Sequence, residues 1–185
     1  EWMQTYLNPT YQRNHMLQTR SRTHLILAKF KEDIIGSSIV ELIGCDNNIC
    51  FGVIWYMITA KEARNTGIGK FLIDKSINAL KRDAVVLGFP ILYGVFAEVN
   101  AVKKMSKKDI ELDSEIMDPS TREKYWEGRG FHVLDFDYNQ PPCVEGQSPV
   151  TYVNLRCFPL HPQWIRDKAI PSKLMDKMLY YFLTN

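Results

Sequence analysis

Hydrophobic positions along this chain repeat with two different periods. Between residues 23 and 59 they come in β-rich runs: 23–30 (THLILAKF), 34–43 (IIGSSIVELI) and 51–59 (FGVIWYMIT). The polar connections 31–33 and 44–48 are short enough to close hairpins, so three sequential antiparallel strands are expected. From residue 69 to 82 the period becomes helical. Ile73, Ile77 and Leu80 fall at i, i+4 and i+7, while Lys70, Asp74, Asn78 and Lys81 mark another face, so one side of this helix should pack on the sheet.

After the Gly88-Phe89-Pro90 break, residues 91–99 (ILYGVFAEV) are apolar on both faces until Glu98, which predicts a central strand covered on both sides. Strand, helix, strand implies a parallel neighbour. Residues 100–117 are too polar for a core; Lys103, Lys104, Lys107 and Lys108 make the first half basic, and Asp109, Glu111, Asp113 and Glu115 make the second acidic. Asp118-Pro119 reads as the start of a helix that ends at Gly128 or Gly130. Residues 131–138 and 151–158 read as strands joined by the proline-bearing loop 139–149. Leu174, Met178, Tyr181 and Phe182 place a docking helix over 171–182, and residues 2–20 suggest helical pieces broken at Asn8-Pro9. With no internal repeat or convincing boundary, a single domain over 1–185 is expected, with 159–185 a helical extension.

Composition narrows this picture. A hydrophobic content of 45% supplies one substantial core, and 23 basic against 21 acidic residues leave a formal charge of +2, so no global field favours nucleic acid or a membrane surface. Any anion site must be local. Cys45, Cys50, Cys143 and Cys157 form no C-x-x-C pair, and His15, His24, His132 and His161 lack ligand spacing, so neither a metal site nor a disulfide framework is indicated. Reduced thiols in a cytoplasmic protein are the default, although Cys45 and Cys50 could meet across a turn. No apolar run approaches a membrane span. The start at Glu1 rather than methionine reads as an N-terminus with upstream residues missing.

Chemistry enters at Arg64-Asn65-Thr66-Gly67-Ile68-Gly69-Lys70, between the third strand and the helix. A helix start leaves N–H groups unpaired and carries partial positive charge, and glycines let the backbone approach an anion closely. A P-loop would need a glycine at position 64 and Ser or Thr at 71, where the chain has Arg64 and Phe71; a Rossmann fingerprint would need glycine at Leu72. Both readings fail. An ordinary strand-to-helix turn is the bland alternative.

The segment Arg64-x-x-Gly67-x-Gly69 resembles the Arg/Gln-x-x-Gly-x-Gly/Ala signature of the GNAT acyltransferases, whose loop and helix start grip the pyrophosphate of acetyl-coenzyme A. Trp126, four residues before Gly130-Phe131, resembles a second signature, and Asp118-Pro119, Arg122 and Tyr138-Asn139-Gln140-Pro141 resemble elements of bacterial GNAT-domain proteins. The order of elements from about Thr23 to Phe158 matches as well. The resemblance implies an α/β fold with a central mixed, mostly antiparallel twisted sheet flanked by helices. It also implies an N-acetyltransferase that moves acetyl from acetyl-CoA to a primary amine of a small molecule or peptide by direct attack. The main chain of Met57, Ile58 and Thr59 would meet the pantetheine, and Arg64, Asn65, Thr66, Gly67, Ile68, Gly69 and Lys70 the pyrophosphate.

An attacking amine must lose a proton, and a partly buried carboxylate suits that work. Glu98, at the end of an apolar strand, is the candidate; the alternative is a strand-end glutamate that is solvated or paired with lysine. Many relatives place a tyrosine beside the departing thiolate, but here that cofactor-side position is Trp126, which has no proton to give. Tyr125, about 100° round the helix, and Tyr138 are the substitutes, and either helix aromatic could instead be core. Trp126 also motivates a second reading, a catalytically weak GNAT-fold module that binds coenzyme A as a sensor or interaction domain. The expected partners are an amine substrate and the co-substrate acetyl-CoA, with no metal, nucleic acid or membrane, in a monomer or homodimer.

Overall fold

A computed structural model describes residues 20–45, 48–142 and 146–184, with side chains to residue 180. The helical pieces expected over 2–20, all but Arg20, and Cys143 lie outside the described residues. The elements are β1 (Arg22–Phe30), β2 (Asp33–Gly44), β3 (Cys50–Thr59), α1 (Ile68–Val86), β4 (Leu92–Asn100), α2 (Lys107–Ser114), α3 (Pro119–Glu127), β5 (His132–Val133), β6 (Val153–Pro159), α4 (Pro162–Asp167) and α5 (Ser172–Thr184). Six strands form one mixed, mostly antiparallel sheet in the order β1-β2-β3-β4-β6-β5, flanked by helices, which is the expected class. Two compact units divide the chain: Glu1–Val95 with Leu160–Asn185, and Phe96–Pro159. The chain passes from one to the other within β4.

In the first unit β1, β2 and β3 form the expected antiparallel meander, from Arg22↔Leu42 to Phe30↔Asp33 and from Gly36↔Thr59 to Gly44↔Cys50. Ile39 faces Tyr56 while Val40 faces Ile54, so Trp55 is the extra residue of a bulge; its indole N–H donates to the buried Glu41 at 2.9 Å. Helix α1 packs on this meander through Leu72, Ile73, Ile77 and Leu80, all buried. Small residues beneath it allow close approach. A Cβ on Gly36 would lie 3.1 Å from Ile68 Cγ2, Leu72 Cδ1 and the Ile58 carbonyl oxygen, and the Ser76 hydroxyl donates to Ser38 at 3.3 Å.

α1 runs four residues beyond the expected end at Arg82. The reason is Asp83, which is buried at 3% exposure yet satisfied by Arg22 at 2.9 Å and by His24, both from β1. Asp83, one residue past the expected end, ties the helix to the sheet. Cys45 and Cys50 are buried and free, not joined across their turn. Burial pushes the Cys50 thiol up to about 12, Cys45 adding to the shift and Arg20 opposing it. α5 covers the predicted docking helix, with Met178 1% exposed, and α4 precedes it with Trp164 buried.

In the second unit α3 follows its prediction closely. Asp118 accepts from the Thr121 N–H at 2.7 Å, Pro119 occupies the first turn, and Gly128 caps the end. The strand expected over 131–138 shrinks to His132–Val133, paired with Cys157 and Arg156. Leu134 still donates to Leu155 at 3.0 Å, but Phe136 then bonds back to Leu134 at 3.1 Å, so the chain turns at the strand-averse residues Asp135 and Asp137. Inside the charged interval lies a helix the hydrophobic pattern does not show. α2 buries no residue, and a Ser106/Asp109 capping box starts it.

Candidate functional site

In the first unit the chain leaves β3 through a single 3-10 turn, Lys61–Ala63, and the Thr66 hydroxyl closes onto the Ala63 carbonyl at 2.6 Å. Gly67 then adopts φ 93 as the residue capping α1. A Cβ there would meet nothing within 4 Å, so the backbone conformation, not crowding, calls for glycine, and the space in front of it is open. The first inward-turning helix bond runs from Phe71 N–H to Gly67 at 2.9 Å. The amides of Ile68, Gly69 and Lys70 therefore start the helix without intrahelical acceptors. No side chain caps them and no acidic residue stands in the first turn. Three amides at the positive end of a 19-residue helix, with no acidic residue in its first turn, are an arrangement that can accept an anion. The Lys70 ammonium is engaged with Asp74 at 2.5 Å. Met57, Ile58 and Thr59 lead into this loop, paired with Ser38, Ser37 and Gly36 of β2.

The second unit brings together three side chains from distant parts of the sequence. Glu98 Oε1 accepts a short hydrogen bond from the Tyr138 hydroxyl, and Oε2 accepts from Gln140 Nε2 at 2.8 Å. Tyr138 is buried and lies edge-on to Phe136 with ring centroids 6.0 Å apart. Burial pushes the Glu98 carboxyl above the usual carboxylate range, although both hydrogen bonds pull it back. The Tyr138 phenol is pushed up by burial and by its bond to Glu98, so it holds its proton throughout the working pH range. A carboxylate whose proton affinity is raised, touching a phenol that stays protonated, can exchange protons with a bound substrate.

The other expected residues are placed differently. Trp126 is 7% exposed, packs edge-on to Phe131 at 4.8 Å and receives the Phe131 N–H on its carbonyl at 3.1 Å. Tyr125 stands beside it on α3, with the Arg129 guanidinium 5.2 Å over its ring. Of the two tyrosines weighed as proton donors, Tyr138 is the one hydrogen-bonded to Glu98. Gln140 as a ligand of Glu98 was invisible in the sequence, as was the clasp of Asp113 by Arg122 (2.7 and 2.8 Å) and Asn100 (3.0 Å). Among the described residues no group of three or more His, Cys, Asp or Glu could hold a metal, and no helix is long and apolar enough to cross a membrane.

A GNAT-family protein from Bacteroides thetaiotaomicron superposes over 94% of this chain and 81% of its own, with a TM-score of 0.51 at 18% identity. The fold is that of the GNAT acetyltransferases. Two other GNAT-family structures align with TM-scores just under 0.5. A GNAT family acetyltransferase from Elizabethkingia anophelis with acetyl-CoA bound covers 84% of this chain and 88% of its own at 18% identity and a TM-score of 0.48. A GNAT-family protein from Desulfovibrio desulfuricans covers 80% and 74% at 10% identity and 0.49. No protein-family model matches the chain, and no curated protein matches its sequence. On this GNAT fold Arg64-x-x-Gly67-x-Gly69 occupies the β3–α1 junction, and Glu98 sits on β4, the next strand in the chain.

Proposed function

We propose that residues 1–185 act as one acetyl-CoA-dependent N-acetyltransferase domain whose acceptor is a primary amine of a small molecule or peptide. The observation that carries this reading is the Glu98 carboxylate, half-buried and held by Tyr138 and Gln140 on the strand that follows the glycine loop and α1. The amides that open α1 receive the coenzyme A pyrophosphate, and the main chain of Met57, Ile58 and Thr59 meets the pantetheine.

In the proposed reaction Glu98 removes a proton from the acceptor ammonium, and the neutral amine attacks the thioester carbon. With Glu98 protonated, its charge no longer holds the phenol proton in place; as the C–N bond forms and the C–S bond breaks, the coenzyme A sulfur takes the Tyr138 proton. Glu98 then returns its proton to the Tyr138 phenolate through their hydrogen bond, and the extra proton on the newly acylated nitrogen leaves to solvent, so protons balance and both side chains are restored. Trp126 contributes no proton.

Release of coenzyme A thiol over a panel of amines tests the reading. Glu98→Gln should lower kcat about 100-fold, in the range of lost general-base catalysis, and Tyr138→Phe by a smaller factor. The buried Trp126, in the position where relatives carry an acid, favours the second reading of a coenzyme A-binding module. Tight coenzyme binding with no thiol release above that of acetyl-CoA alone would select it.

A further inference from the structure

The bonds on Glu98 come from one short segment. Tyr138 reaches Oε1 and Gln140 reaches Oε2, so each carboxylate oxygen has its own donor and the group cannot rotate without losing both. Gln140 is itself fixed by its main chain, which exchanges two hydrogen bonds with Val150, N–H to carbonyl at 2.9 and 3.0 Å in the two directions. That bridge closes the loop after Gln140 and sets the height at which its amide meets β4. A glutamine donates without adding charge, so the carboxylate is aimed but not neutralised, as an arginine or lysine at the same place would do.

We propose that Gln140 is a positioning residue for Glu98: its amide fixes Oε2 while Tyr138 fixes Oε1, so that the carboxylate offers its remaining lone pairs to the acceptor in one orientation. This inference rests on the acetyltransferase reading for its consequence, but its geometry stands without it. The groups acting on Glu98 are burial, which raises its affinity for a proton, and the Tyr138 and Gln140 donors, which oppose that rise. Removing the Gln140 donor therefore moves Glu98 to a higher pH. Its charge state reports the bond directly.

The test uses the whole protein labelled with carbon-13 at the glutamate carboxyls, with the Glu98 resonance assigned by its loss in Glu98→Gln. Gln140→Met, which keeps volume and the main-chain bridge, should move the Glu98 titration up by roughly half a pH unit or more, and Gln140→Glu, which sets a second carboxyl there, further still. In turnover the acid limb of kcat should move by the same amount, with KM for acetyl-CoA unchanged. A Glu98 titration that stays in place in both folded variants overturns the positioning role, whether or not the protein transfers acetyl groups. A titration that moves in a protein with no transferase activity upholds Gln140 as the group that fixes Glu98 and removes the acetyltransferase reading instead.

Discussion

At the scale of single residues, two buried carboxyls lean in opposite directions. Burial disfavours charge on Asp83, but the hydrogen bonds from His24 and Arg22 outweigh it and hold the carboxyl below its ordinary range. The native state thus binds that proton less readily than the unfolded chain does. The stabilisation is complete above the unfolded value of about 4 and disappears as pH falls through the lower native value. Both partners are about a third exposed, so screening trims the gain. Asp83→Asn should cost about 1–2 kcal/mol in urea unfolding at pH 7, with the gap to the wild type narrowing below about pH 4. Glu98 runs the other way: its raised native value means that stability is present at acid pH and lost as the carboxyl ionises. Glu98→Gln should therefore unfold at a higher temperature than the wild type at pH 7, the gain shrinking at pH 4, even as it loses turnover. A variant that is both less active and less stable at pH 7 would argue against a strained catalytic carboxylate.

At the scale of elements, the glycine loop depends on how closely the first turn of α1 approaches β2. Gly36 lies under Ile68 and Leu72, so a side chain there pushes on the turn that presents the loop amides. Gly36→Val should destabilise by about 1–3 kcal/mol and weaken acetyl-CoA binding, read by calorimetry, by more than a substitution of similar cost at the far end of α1 such as Leu80→Val. The same element shows what the sequence could and could not reveal. Ile73, Ile77 and Leu80 announced the helix because amphipathic spacing is local. The helix was expected to end at Arg82, because nothing in a linear pattern shows that Arg22 and His24 wait for Asp83 on a strand some sixty residues earlier. α2 was missed because it buries nothing and leaves no periodic trace, though Ser106-x-x-Asp109 was a readable start signal. Tyr138 and Gln140 could be named, but their convergence on Glu98 depends on pairing across some forty residues.

At the scale of the molecule, the proposed reading makes a demand that no single side chain can meet: the folded protein must bind acetyl-CoA and the unfolded chain must not. A ligand of that kind raises stability with its free concentration, by about 2.7 kcal/mol at one hundred times Kd. A net charge of only +2 supplies little long-range attraction, so the gain must come from the local amides at the start of α1 and not from a general affinity for phosphates. Acetyl-CoA should therefore raise the unfolding temperature in a saturable way, whereas inorganic pyrophosphate at equal ionic strength raises it less, having no pantetheine for β3. Gly67→Trp offers a clean control. A Cβ at this position meets no neighbour within 4 Å, so the first atom of a new side chain is accommodated at the cost of the left-handed backbone angle. The variant should fold, unfold a few degrees lower and lose the acetyl-CoA shift. Should it keep the full shift, the coenzyme binds elsewhere, and the resemblance of Arg64-x-x-Gly67-x-Gly69 to a pyrophosphate loop is a matter of turn geometry.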